Sequence, residues 1–156
     1  MSNILRAIIS IGVCLVVGAV SGLFTADAIP TWFTTIQKPS WNPPNWLFGP
    51  VWTTLYVLMG IAFFLVWRSP NSADKSRAMW AFGTQLVLNF FWSFIFFKQQ
   101  NISGAFIEIL FMLAAIVATI VLFSKVNRTA AWLLAPYLAW VSFASFLNFT
   151  IWQLNK

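Results

Sequence analysis

The sequence predicts an all-α integral membrane protein, a bundle of five transmembrane helices. Three observations carry that prediction. Of 156 residues, 60% are hydrophobic and 8% charged, with a mean hydropathy of +0.81; a soluble domain carries about 25% charged residues. The apolar residues fall into five runs, each near the roughly 20 residues that cross a bilayer as a helix. The gaps between runs hold most of the prolines and cations. Inside hydrocarbon the backbone must satisfy its own polar groups, which selects helices for the runs.

The first run is Ile4 to Ala26. Ala26-Asp27-Ala28 looks like a cleavage site behind a signal sequence, but the run exceeds the usual core of about 7–15 residues, so it is expected to stay as a span. Pro30 to Asn45 breaks the chain before the second run, Trp46 to Trp67. Arg68-Ser-Pro-Asn-Ser precedes the third, Ala78 to Phe97; Lys98-Gln-Gln-Asn the fourth, Ser103 to Phe123; Lys125-Val-Asn-Arg-Thr the fifth, Ala130 to Leu154. Residues 1–156 read as one domain. Residues 27–45 form a first loop that contains Pro39, Pro43 and Pro44 with Trp41, and Trp46 follows directly. Proline fixes φ and removes a donor, and tryptophan offers a large flat apolar surface. Such a loop suits a stiff lid over a flat, greasy ligand.

The net charge of +6 does not point to nucleic acid, because the cations are scattered between apolar runs and form no stripe. They read as topology signals. Arg6, Arg68, Lys75, Arg77, Lys125 and Arg128 fall on one side of the bilayer and Lys38, Lys98 and Lys156 on the other. The cation-rich side faces inward by rule, which places the N-terminus in the cytoplasm of a cell-membrane protein. There is no histidine, one cysteine (Cys14), and three carboxylates in separate segments, Asp27, Asp74 and Glu108. A disulfide framework, a Cys/His metal site and a Ser-His-Asp triad are excluded within the chain. Glu108 sits early in the fourth run, where a helix N-terminus favours negative charge; a structural role is expected.

Helical spacing then sorts the faces. Ser10, Cys14, Gly18, Gly22 and Ala26 recur every four residues. Small residues let backbones approach closely, and the stripe reads as bundle packing, a dimer face or a slot for a flat ligand. Ala131, Ala135 and Ala139 make a similar stripe read as packing. Phe48, Trp52 and Tyr56 align on the second run. Asn89, Trp92, Ser93 and Phe96 align on the third, and Tyr137, Trp140, Ala144 and Asn148 on the fifth. Amides in a span seek partners inside the protein. These faces form either an aromatic core or a pocket; aromatic lining with few polar groups is the usual pocket composition. Trp67 and Trp152, near span ends, fit the interfacial belt.

Trp32, QKPSWNPPNW (Gln37–Trp46), GPVWTTLY (Gly49–Tyr56), Met59-Gly60, LVW (Leu65–Trp67), QLVLNFFW (Gln85–Trp92), IFF (Ile95–Phe97) and PYLAWVSFASFLN (Pro136–Asn148) together resemble the translocator protein family, also called the tryptophan-rich sensory or peripheral benzodiazepine receptor family. The resemblance spans nearly the whole chain. It implies a five-helix bundle, a homodimer, and a pocket near the first loop for protoporphyrin IX and synthetic benzodiazepine-type or isoquinoline ligands. By matching positions, Trp52, Asn89, Trp92, Trp140, Ala144 and Asn148 should line or support that pocket, with Trp32 and the QKPSW loop covering it. Protoporphyrin IX would be ligand or substrate, with no further cofactor. Light-dependent porphyrin degradation, which the resemblance also implies, would use Trp52 and Trp140 as catalytic residues. Lys38 is the candidate partner for a propionate. Animal members carry a cholesterol segment with Tyr and Arg; here Leu147 is followed by Phe149 and Gln153, which argues against cholesterol. A transporter of porphyrin or another apolar ligand is the remaining reading. Intramembrane charge, the mark of an ion pathway, is nearly absent.

Overall fold

A computed structural model describes all residues, Met1–Lys156, as helices joined by short turns and one longer loop. They are α1 (Asn3–Ala28), α2 (Trp32–Thr35), α3 (Asn45–Trp67), α4 (Ala73–Ser93, extended by a π-helical turn Phe94–Lys98), α5 (Ile102–Val126), α6 (Arg128–Leu133) and α7 (Ala135–Leu154). Five stretches are long and apolar enough to cross a membrane: α1, α3, α4 with its π turn, α5, and α6 with α7. The chain is an integral membrane protein of five spans. Leu, Ile, Val and Phe side chains remain exposed along α1 and α5, as lipid-facing surfaces require.

Side-chain caps set the helix starts. Ser2, Ser72, Asn101 and Asn127 each accept a backbone N–H from the first turn of the helix they precede, which satisfies one of its orphan donors. The Ser72 cap starts the third span at Ala73, five residues before the apolar run suggests, because its first turns carry Asp74, Lys75 and Arg77. The fifth span is not one helix: it breaks at Leu134 between α6 and α7. Pro136 has no N–H to continue the α6 ladder but fits the start of α7. The loop 27–45 is not wholly irregular, since α2 lies within it. Glu108 is the seventh residue of α5, beyond the first turn where the helix dipole acts. Neither of its oxygens has a hydrogen-bond partner, and the surrounding helices offer no explanation for its place.

α1 lies along α3, α4 along α5, and α5 against α7. α1 approaches so closely because its buried residues are small: Ser10, Cys14, Ser21 and Ala28. At the tightest point Gly60 of α3 faces the Ile11 backbone, and a Cβ on Gly60 would sit 2.5 Å from Ile11 Cα. The core runs through Met59, Ala62 and Val66 of α3, Ala78 and Phe82 of α4, and Met112, Ile116 and Phe123 of α5. Phe82 stacks between Phe63 and Phe123, at 4.8 and 5.8 Å. Trp46, Trp80 and Trp132 are the most exposed tryptophans. Trp67 and Trp152 sit at span ends but are partly covered, Trp67 by Arg6 and Trp152 by Phe106.

Candidate ligand-binding cavity

A cavity of about 620 Å³ opens between α1, α2, α3, the end of α4 and α7. It lies at the end of the bundle that carries the first loop. None of its 25 lining residues is charged. Phe48, Trp52 and Tyr56 of α3, Trp92 of α4, and Trp140, Ala144 and Asn148 of α7 all form part of its wall. The aromatic faces of three spans thus converge on one space. Phe48 meets Trp140 edge-on at 6.1 Å, and Trp52 lies 5.7 Å from the Tyr56 ring.

Hydrogen bonds hold these rings in place from behind. Trp92 Nε1–H donates to Asn148 Oδ1 at 3.0 Å, and Asn148 Nδ2 donates to the Ile102 carbonyl at 2.9 Å. One amide thereby ties α4, α5 and α7. Tyr56 O–H donates to Asn89 Oδ1. Asn89 Nδ2 donates to Tyr137 Oη at 2.8 Å, and Tyr137 O–H donates to Gln85 Oε1 at 2.7 Å. All four side chains are buried, where an unmade hydrogen bond costs about 1–3 kcal/mol. The chain fixes the Tyr56 ring against Gly18, where a Cβ would lie 2.6 Å from Tyr56 Cε2.

Three expected residues stand outside the wall. Asn89 sits behind it in the chain just described and does not face the space. Trp32 backs the wall by packing its ring on Phe96 at 5.6 Å. Lys38 is turned away: its ammonium donates to the carbonyls of Phe33 at 2.5 Å and Ile36 at 2.9 Å, with the Phe33 ring 4.8 Å beneath. An ammonium in a membrane protein seeks the nearest free acceptors, and the end of the short α2 supplies them. Lys38 therefore stiffens the loop and presents no charge to the cavity.

The rest of the wall comes from the α1 stripe and from phenylalanines, of which Phe33, Phe97 and Phe143 are not singled out by spacing. Gly18, Gly22 and Ala26 of the α1 stripe line the cavity, whereas Ser10 and Cys14 of the same stripe are packed against neighbours. The stripe packs at one height of the helix and borders the cavity at another. Phe33 of α2, Phe96 and Phe97 of the π turn, and Phe143 complete the lining. The π turn closes through Gln99 N–H to the Phe94 carbonyl at 2.9 Å, and such insertions re-aim side chains and cluster at functional sites. The IFF run was the available signal for these rings, but nothing in it announces a π turn.

The first loop is tied to the far end of α7. Gln37 N–H donates to Asn155 Oδ1 at 2.9 Å, and Asn155 Nδ2 donates back to the Gln37 carbonyl at 2.8 Å. Trp41 stacks on Phe146 at 5.3 Å and meets Phe143 edge-on at 5.9 Å. Asn155→Ala removes the amide pair while leaving the wall intact. Its expected effect is faster ligand association and release, each by about two- to tenfold as two exposed hydrogen bonds are lost, with little change in Kd. Stopped-flow tryptophan quenching checks it; unchanged rates would show that the loop does not gate the cavity.

The comparisons with known proteins agree with this architecture. The model of the TspO/MBR family matches residues 10–153. The chain belongs to the TspO/MBR family. It is 44% identical to the tryptophan-rich protein TspO of Archaeoglobus fulgidus over 153 residues, which cover 98% of this chain and 99% of that relative. It is also 44% identical to the tryptophan-rich protein TspO of Chlorobaculum tepidum, with 98% of each chain covered. The translocator protein of Homo sapiens is 40% identical over 126 residues, 80% of this chain and 75% of that relative. In this TspO/MBR chain the matched span runs from Ser10 to Gln153, so it contains every wall residue of the cavity.

Proposed function

We propose that this TspO-family membrane protein binds a flat tetrapyrrole, protoporphyrin IX, in the intramembrane cavity, at the end of the bundle facing away from the cytoplasm of a cell membrane. One observation carries the reading: indole rings from three spans, Trp52, Trp92 and Trp140, wall one uncharged cavity. Its volume falls in the range of about 300–1,000 Å³ usual for small-molecule sites. Its lining is largely apolar and aromatic, and Gly22 and Gly49 add no side chain to it, which suits a planar macrocycle. Benzodiazepine-type and isoquinoline ligands would use the same slot. A homodimer would present two such sites. Cholesterol is not proposed.

With no charged residue in the wall, both propionates must lie outside the cavity, because an unpaired carboxylate is costly to bury. The dimethyl ester of protoporphyrin IX is therefore expected to bind within about threefold of the diacid, in keeping with the small worth of exposed charge contacts. Titration of the purified protein with each, followed by tryptophan quenching, tests both statements. Failure of both compounds to bind would overturn the tetrapyrrole reading; a strong preference for the diacid would instead reveal a cation at the mouth.

A second reading uses the same site. Trp52 and Trp140 would touch the bound macrocycle, the position required of catalytic residues in light-dependent degradation. The photoexcited porphyrin would pass energy to dioxygen, which adds across a C=C bond and cleaves it to two carbonyls; both oxygen atoms end in the product and no reductant is consumed. The indoles would steer that addition. Product analysis after illumination, for the protein and for a Trp52→Phe/Trp140→Phe variant at equal occupancy, tests it: unchanged products and rate would end this reading and leave binding alone. Movement of porphyrin or another apolar ligand across the bilayer has no specific support in the geometry.

A further inference from the structure

A second cavity of about 570 Å³ lies at the other end of the bundle, as a groove between the last turns of α5 and the α6–α7 break. Ile120, Leu138, the alanine row Ala131, Ala135 and Ala139 (hereafter the floor), Trp132 and Arg128 line it. Trp132 and Ala139 are exposed, so the groove faces lipid. This is the cation-rich end. Of its six basic residues, four are already engaged. Arg77 pairs with Asp74 at 3.6 Å. Lys75 donates to the Ser69 carbonyl and to Asn71 Oδ1. Arg6 lies over Trp67 and Arg68 over Phe64. Lys125 and Arg128 have no ion pair, side-chain hydrogen bond or ring contact, and Asp74, the one carboxylate at this end, is taken.

We infer that this groove is a binding site for one anionic glycerophospholipid, its phosphate held by Arg128 and one acyl chain laid along the alanine floor. The charge of Arg128 calls for an anion, and the floor calls for a chain without bulk. Length agrees. From Arg128 to Ser142, the far end of the groove, α6 and α7 together rise by at most about 21 Å at 1.5 Å per residue. Half of a bilayer with its headgroups is about 20–22 Å. The groove therefore runs from the phosphate level to near the midplane, the reach of a single leaflet. Trp132 occupies the headgroup depth that indoles favour. Basic clefts between spans are known sites for acidic headgroups. The alanines, read from sequence as packing, line open space here, beside the break at Leu134 between α6 and α7.

Delipidated full-length protein would be offered equal amounts of phosphatidylglycerol and phosphatidylcholine with identical chains, and retained lipid counted by native mass spectrometry. The wild type should keep one phosphatidylglycerol per chain with about a fivefold preference, the effect of one surface cation. Arg128→Gln should bring the preference to about one. Ala135→Leu should lower retention of both lipids, and Ala139→Leu, at an exposed position, does the same work if Ala135→Leu fails to fold. Arg68→Gln, at the same end but engaged with Phe64, should change nothing. Equal retention of the two lipids by the wild type would overturn the assignment. So would a preference that survives Arg128→Gln, or one lost equally in Arg68→Gln, which would mark a diffuse field. A sterol that displaces the lipid irrespective of Arg128, or a dimer lost in Ala135→Leu with no lipid retained, would give the groove to another occupant.

Discussion

Gly22→Leu should weaken ligand binding by about tenfold or more while leaving the bundle intact. Gly22 lines the cavity, and a Cβ built there meets no atom within 4 Å. A leucine there would start into open space and project its side chain into the cavity. Replacing glycine inside a helix also removes a propensity cost of about 0.5–1 kcal/mol, so thermal stability should hold or rise slightly. Forcing a rigid ligand past the added side chain costs about 1–3 kcal/mol in the manner of overpacking, which predicts a loss in affinity of about tenfold or more. Gly12→Leu on the same helix is the control, since Gly12 also has open space but lies outside the cavity; it should bind like wild type. Porphyrin titration of the three proteins decides. Full affinity in Gly22→Leu would mean that ligand does not occupy this space.

Gly60→Ala should have the opposite outcome: a destabilised bundle. The added methyl would lie 2.5 Å from Ile11 Cα and 3.0 Å from Ile11 N. These are backbone atoms, which cannot rotate aside, so α1 must move away from α3. Overpacking of this kind costs about 1–3 kcal/mol, and close contact between small residues is what holds membrane helices together in the absence of a hydrophobic drive. The cavity should suffer too, because α1 carries one of its walls. Gly83→Ala gives the comparison: nothing lies within 4 Å of a Cβ there, and the gain in helix propensity should leave it neutral or more stable. Detergent-denaturation midpoints measure both. A Gly60→Ala protein as stable as Gly83→Ala would show that the two helices are farther apart than described.

The two glycines explain what could be read from sequence. Trp52, Trp92 and Trp140 announce themselves by size and by helical spacing, and all three reach the wall. Glycine has no side chain, so Gly22 and Gly60 look alike in the sequence, yet one faces open space and the other a backbone. Asn89 and Asn148 were equally prominent amides. Periodicity gives a residue's direction around its helix but not its depth, so it could not show that Asn148 reaches the cavity while Asn89 stands behind Tyr56. For Lys38 the missing knowledge was where the carbonyls of Phe33 and Ile36 point, a matter of how α2 ends.

The sequence by itself determined that the chain lives in a bilayer, crosses it five times, and carries indoles on the inner faces of its spans. Hydrocarbon imposes a length and a composition on each segment one at a time, and that demand is written along the chain. Only the tertiary structure decided which small residues touch and which leave room, which amide reaches the cavity, and which cations stay free. Those outcomes depend on distances between segments far apart in sequence: α3 against α1 at Gly60 and Ile11, Asn155 against Gln37, and Asn89 between Tyr56 and Tyr137.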